Sequence, residues 1–259
     1  MTTDPSDDVL TRASRPPDQT LRYGSDPDDP EHVVDLRLPA GPVTRPLVVF
    51  VHGGFWRAAY DRSHAGPMAE DLSARGWPVA TVEYRRMGQR GGGYPGTFDD
   101  AAAAIDAALA AGVGSGAPIV AGHSAGGQIA LWYAARRPDA VGGVLGLAPV
   151  ADFATADDRR IGRSVLRELL GGGPDEVPDR YRELDPLGLP LDVPAVLVHG
   201  SEDENVPVEL SRAYVDAKPN ARLVELPGVD HFAVIDPLTR AWPFVLSALA
   251  ELAELPPRR

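Results

Sequence analysis

Short apolar runs alternate with amphipathic stretches along most of the chain. PLVVFVHG (46–53), WPVATVEY (77–84), APIVAGHS (117–124), VGGVLGLAP (141–149), PAVLVHGS (194–201) and ARLVELPG (221–228) are strand-length segments rich in β-branched residues and leucine. Most are apolar at consecutive positions, the pattern of strands covered on both faces. HAGPMAEDLSARG (64–76), TFDDAAAAIDAALAA (97–111), AGGQIALWYAARRP (125–138), PVELSRAYVDA (207–217) and PLTRAWPFVLSALAELAEL (237–255) lie between or after them and read as helices. Gly76 is placed like a helix C-cap, Thr97 like an N-cap with acids in the turn behind it, and Pro138 ends the third of these helices. Such alternation predicts βαβ units: an α/β fold with a mostly parallel central sheet and helices on both faces.

Two regions depart from the alternation. Residues 1–19 are rich in Asp, Pro, Ser and Thr without apolar periodicity and read as a mobile acidic leader. The remainder, 20–259, reads as one domain, opening with two antiparallel edge strands, TLRYG (20–24) and HVVDLRLP (32–39), around the Asp/Pro-rich turn SDPDDP. Residues 150–193 hold one predicted helix, RIGRSVLRELLGGG, and then a Pro/Asp-rich stretch without a strand. A connection of that length is expected to be a lid or binding insertion.

Composition narrows the function. With 259 residues, 44% of them hydrophobic, the chain is long enough to bury one large core unaided. The absence of cysteine removes disulfides, thiolate metal sites and a cysteine nucleophile. A net charge of −12, with Lys218 the sole lysine and the arginines dispersed, argues against nucleic-acid binding. No apolar run has the length of a bilayer span, and MTTDPSDDVL has neither the basic nor the apolar part of a secretory signal. The expectation is a cytoplasmic monomer or homodimer that does not engage membranes.

The candidate chemistry starts at AGHSAGG (121–127). Gly-x-Ser-x-Gly alone is weak, but here a strand precedes Ser124 and a helix follows it. A strand-to-helix elbow strains the central residue and leaves its side chain free, and Gly122, Ala125, Gly126 and Gly127 are small enough for the close turns it needs. The helix N-terminus favours negative charge developing there. A serine nucleophile needs a base. Of the six histidines, His32 and His64 read as solvent-facing, whereas His52, His123 and His199 read as hydrogen-bonded structural residues at strand ends. His231 lies in PGVDHFAVID, after the last strand, and is the candidate base. The base needs a carboxylate to orient it. HGSEDENVP (199–207) offers Glu202, Asp203 and Glu204, of which Asp203 is preferred, with Asp230 and Asp236 as fallbacks. VHGGFW (51–56) ends a strand with two glycines, so its amides, together with that of Ala125, are candidate oxyanion donors.

The order of these parts resembles the α/β-hydrolase superfamily, and within it the small branch that includes kynurenine formamidase (arylformamidase) and related carboxylesterases. The resemblance rests on HGGFW (52–56), YRR (84–86) with YPGTFDD (94–100), GHSAGGQIALW (122–132), HGSEDENVP and DHF (230–232). It implies a Ser124–Asp203–His231 triad, with Gly54, Phe55 and Ala125 supplying oxyanion amides and no metal or organic cofactor. Many esterase relatives carry a third glycine where this chain has Phe55, whose ring is expected to narrow the acyl pocket. Phe55, Trp56, Phe153 and Phe232 are the candidate substrate-binding residues, although Phe153 also fits lid packing and Trp132 reads as core. Three functions follow: a formamidase-like hydrolase of a small aryl amide or ester; a broad carboxylesterase or deacetylase on short acyl esters; and a non-catalytic binder on the same fold.

Overall fold

Alternate residues of each central strand face opposite ways, and the sequence is apolar at both parities. A computed structural model describes residues 7–24, 29–158 and 163–255. Its strands are β1 (Gln19–Arg22), β2 (Val33–Arg37), β3 (Val48–Val51), β4 (Val79–Val82), β5 (Ile119–His123), β6 (Gly143–Leu147), β7 (Ala195–Gly200) and β8 (Ala221–Leu226). They form one sheet in the order β1-β2-β4-β3-β5-β6-β7-β8, parallel from β4 to β8 and antiparallel only in the pairings of β2 with β1 and β4. Of the two expected edge strands, only β1 lies at an edge; β8 forms the other edge. β2 is covered on both sides by strands.

Helices α1 (Gly66–Ala74) and α8 (Trp242–Glu254) cover one face, where Val48, Phe50, Leu145, Leu147, Val196 and Val198 pack with Met68, Leu72, Trp77, Trp242 and Leu249. α2 (Gly96–Ala110), α3 (Ala125–Arg136) and α7 (Glu209–Ala217) cover the other, where Val49, Val51, Val144 and Leu197 meet Phe98, Ile129, Trp132 and Leu210. A period of two along the strands thus builds two cores from one sheet. Trp132 is core, as read from its helix.

The structure corrects several local expectations. Thr97 does not cap α2: it lies inside the first turn, where its hydroxyl accepts from the Gly93 amide and donates to the Arg85 carbonyl. The last helix begins at Trp242, because residues 233–240 turn around Asp236 and Thr239. Among its described residues the insertion carries three α-helices, α4 (Phe153–Asp158), α5 (Arg163–Leu170) and α6 (Pro178–Leu184), where the sequence suggested one. Phe153, Leu166, Leu169, Tyr181 and Leu184 bury it against the core containing Trp56. Residues 160–162 of the expected helix, with 159 just before it, 25–28 of the expected turn and 1–6 of the expected leader lie outside the described residues.

Residues 9–18 are not a free leader. Val9 is fully buried beside Met68, and Arg12 grips Asp236 through both guanidinium nitrogens at 2.6 and 2.9 Å. The Arg15 amide donates to Glu70, and Arg37 donates to the Arg15 carbonyl. Low overall hydrophobicity concealed one apolar anchor and a set of ion pairs spaced to meet the body of the domain. Among the described residues, no helix is long and apolar enough to cross a membrane, and no group of three or more His, Cys, Asp or Glu is placed to hold a metal ion.

Candidate active site

The carboxyl ends of adjacent parallel strands gather the candidate residues at one edge of the sheet, where open α/β sheets bind ligands. β3 leads into the His52–Trp56 loop, β5 into Ser124, β7 into the loop bearing Asp203, and β8 into the loop bearing His231.

Ser124 has φ 54° and ψ −119°, a conformation side-chain-bearing residues rarely adopt. Its amide donates to Leu147 on β6, and its carbonyl accepts from Gln128 and Val150, so the elbow is held from both sides. Small residues make this approach sterically feasible. A Cβ on Gly126 would lie 2.2 Å from the Val51 carbonyl oxygen, and one on Gly53 would lie 3.1 Å from the Ser124 Cβ. Ala125 is the first residue of α3, so its N–H has no partner within the helix. The amides of Gly54 and Phe55 likewise make no hydrogen bond among the described residues.

Asp203 and His231 meet: His231 Nδ1–H donates to Asp203 Oδ2 at 2.6 Å. The second carboxylate oxygen accepts from the Asn205 and Val206 amides at 2.9 and 2.7 Å. Burial opposes ionisation of this carboxyl, but hydrogen bonds from His199 and His231 outweigh it and hold its pKa well below the usual carboxylate range. Glu202 and Glu204 are exposed. The fallback carboxylates have other partners, since Asp230 caps the Phe232 and Ala233 amides and Asp236 takes Arg12.

Ser124 and His231 line the same cavity, of about 20 Å³, together with Gly54, Phe55, Phe232 and Leu10. No hydrogen bond joins Ser124 to His231 in this structure; such contacts are often formed only when substrate is present. Phe55 and Phe232 thus lie at the cavity with Ser124, whereas Trp56 and Phe153 do not. Both are 1% exposed, and their rings meet edge to face at 6.4 Å inside the core. The reason is local: Phe55 and Trp56 both take left-handed backbone angles, φ 55° and 52°, and this turn leaves Phe55 at the cavity while Trp56 goes inward.

The histidines divide mostly as expected. His52 lies between the Gly53 carbonyl and Glu83 Oε1, each at 2.8 Å. Burial raises Glu83, but His52 and Arg86 outweigh that and hold it at about 2. His199 Nε2–H donates to the Val206 carbonyl, and Nδ1 accepts from Ser211. His123 Nε2–H donates to the His231 carbonyl, and burial keeps its pKa well below the usual value. His32 and His64 contradict the expectation of solvent exposure, being 8% and 6% exposed. His64, kept neutral by burial with its pKa lowered to about 4, lines the cavity, as do His123 and Tyr60. Of the lining residues missed in the sequence, only His123 had a local signal, its place inside Gly-x-Ser-x-Gly. Leu10, Tyr60 and His64 come from segments without a motif.

Comparison with known proteins places this geometry. The BD-FAE family matches residues 34–217, from β2 through α7, a span that includes Ser124 and Asp203 and stops before His231. Esterase LipC of Mycobacterium tuberculosis is 28% identical over 241 residues, covering 81% of this chain and 59% of its own; the chain thus spans only part of that relative. A truncated form of a carbohydrate esterase from gut microbiota shares the fold with a TM-score of 0.75 at 18% identity, over 93% of this chain and all (100%) of that one. Esterase B from Lactobacillus rhamnosis (HN001) does so with a TM-score of 0.73 at 21% identity, over 96% and 90% of the two chains. The chain has the α/β-hydrolase fold and belongs to the BD-FAE family.

Proposed function

We propose that the chain is a serine carboxylesterase acting on short acyl esters. The observation that carries this reading is the 2.6 Å His231–Asp203 pair at a cavity it shares with the strained Ser124. Ser124 Oγ attacks the ester carbonyl carbon while His231 Nε2 takes its proton. Asp203 fixes the tautomer with Nε2 free and stabilises the resulting imidazolium. The amides of Gly54, Phe55 and Ala125 hold the oxyanion, each such donor typically being worth ~3 kcal/mol in the transition state. The tetrahedral intermediate collapses, and His231 gives its proton to the departing alcohol. Water, deprotonated by His231, then attacks the acyl-enzyme, and the acid leaves as the proton returns to Ser124.

LipC, the gut carbohydrate esterase and esterase B are each named as esterases, which supports ester over amide cleavage. The confined cavity supports a small acyl group. Of the four candidate substrate-binding aromatics, Trp56 and Phe153 lie in the core, so only Phe55 and Phe232 are left to form the aromatic leaving-group pocket that an aryl substrate would use. An N-formyl amide remains a substrate of the same chemistry and belongs in the test.

The test combines labelling and turnover. An organophosphonate is expected to give one adduct, mapped to Ser124 by mass spectrometry. p-Nitrophenyl acetate and butyrate are expected to be turned over faster than the octanoate and faster than N-formylkynurenine. Labelling at another residue, or at none, rejects the mechanism. Preference for N-formylkynurenine restores the formamidase reading.

A further inference from the structure

Leu10 lines the cavity that holds Ser124 and His231, although it lies outside every catalytic motif and ahead of the first strand. Its position is fixed from both sides. Val9 is wholly buried against the α1 core, which secures the chain just before it. Two residues later, Arg12 makes its two-pronged pair with Asp236, whose side chain is fully buried. Asp236 ends the 231–236 segment that carries His231 and Phe232, and this segment is packed through Val234 and Ile235. The Arg15 amide on Glu70 and Arg37 on the Arg15 carbonyl clamp the chain beyond Arg12 onto α1 and β2. A two-pronged guanidinium–carboxylate pair restricts orientation as well as distance. It therefore sets where Leu10 stands relative to the base.

We propose that residues 9–12 form a strap that serves as one wall of the substrate pocket, with Leu10 limiting the length of acyl group accepted and Arg12, through Asp236, acting as its positioning residue. This inference rests on the esterase reading and extends it to specificity. The strap supplies the aliphatic side chain of a lining that otherwise consists of Gly54, aromatic rings, imidazoles and Ser124. Because Leu10 lines this confined cavity, shortening its side chain is expected to make room for a longer acyl chain. Arg12 does not line the cavity, so its removal is expected to act on acyl preference by loosening the strap that holds Leu10 against the Asp236 end of the His231 segment.

The test compares kcat/KM for p-nitrophenyl acetate, butyrate and hexanoate in the unchanged protein, Leu10→Ala, Leu10→Trp, Arg12→Ala and the Leu10→Ala/Arg12→Ala double variant, with folding checked by circular dichroism. Leu10→Ala is expected to raise the hexanoate-to-acetate ratio at least fivefold, and Leu10→Trp to lower the butyrate-to-acetate ratio at least fivefold. Arg12→Ala is expected to shift the ratio in the direction of Leu10→Ala, and the double variant to shift it no further than Leu10→Ala alone. Ratios within twofold of the unchanged protein in both Leu10 variants overturn the strap while leaving the esterase reading intact. An additive double variant overturns the role given to Arg12. Turnover of none of the esters by the unchanged protein overturns the esterase reading and this inference with it. Should Arg12→Ala fail to fold, the half-buried Leu10 still carries the test through its own two variants.

Discussion

His199 Nε2 lies 3.2 Å from the same Asp203 oxygen that His231 Nδ1 reaches at 2.6 Å, so one carboxylate oxygen faces two imidazoles. Only His231 reaches the cavity. His199 is fully buried, anchored by the Val206 carbonyl and the Ser211 hydroxyl, and it braces the carboxylate from behind. His199→Phe removes that brace while leaving every proposed reacting group in place. The expected result is a fall in kcat of about 10- to 100-fold with KM little changed, since a small misplacement of a catalytic pair costs this much. Steady-state kinetics beside a thermal melt measures it, and an unchanged kcat in a folded variant removes the positioning role.

Removing the proposed reacting groups should produce unequal losses. Ser124→Ala is expected to abolish turnover by several orders of magnitude. Asp203→Asn is expected to cost on the order of 10⁴ in kcat, because the amide no longer favours the tautomer with Nε2 free. Asp230→Asn, whose carboxylate only caps a turn, should lose little. Equal losses for Asp203→Asn and Asp230→Asn would contradict the assignment of the carboxylate.

Neighbours in the sequence should behave oppositely at residues 55 and 56. Trp56→Ala is expected to destabilise the fold by ~3–5 kcal/mol, the usual cost of emptying a large aromatic site in a core. Phe55→Ala should lose much less stability and instead alter KM and acyl preference, because its ring lines the cavity. Denaturant melts and an ester panel on the two variants settle the difference; comparable stability losses would refute it.

Asp185 provides a pH-dependent term. Burial pushes its pKa up to about 6, against hydrogen bonds from the Phe153 and Leu187 amides that favour the charged form. A carboxyl in the unfolded chain titrates near ~3.9. Between the two values the folded state binds more protons, so this group's contribution to stability declines as pH rises and is fully lost above about 6. From about pH 5 to about pH 8 the loss is on the order of 1 kcal/mol. Asp185→Asn keeps an acceptor without the charge and should show a flatter stability profile in chemical denaturation at those two pH values. An identical slope in the two proteins would exclude Asp185 as the source.

The sequence alone determined the parallel sheet, the elbow at Ser124, and the pairing of Asp203 with His231 across 28 positions. Each is written in short-range pattern: apolar runs long enough for a strand, glycines where backbones close on one another, and a carboxylate and an imidazole in loops that the βαβ repeat must bring to the same edge. Tertiary structure alone decided what surrounds the serine. Whether Phe55 or Trp56 faces the cavity depended on two consecutive left-handed residues, a strain repaid by Trp56 packing on Phe153 from a distant helix. His64 and Leu10 entered the cavity because the Arg62–Ala65 turn ahead of α1 and the strap are both carried to the catalytic loops by contacts between residues far apart in sequence. Periodicity records which side of an element is apolar. It does not record which other element will cover that side, and the walls of a pocket are made of such coverings.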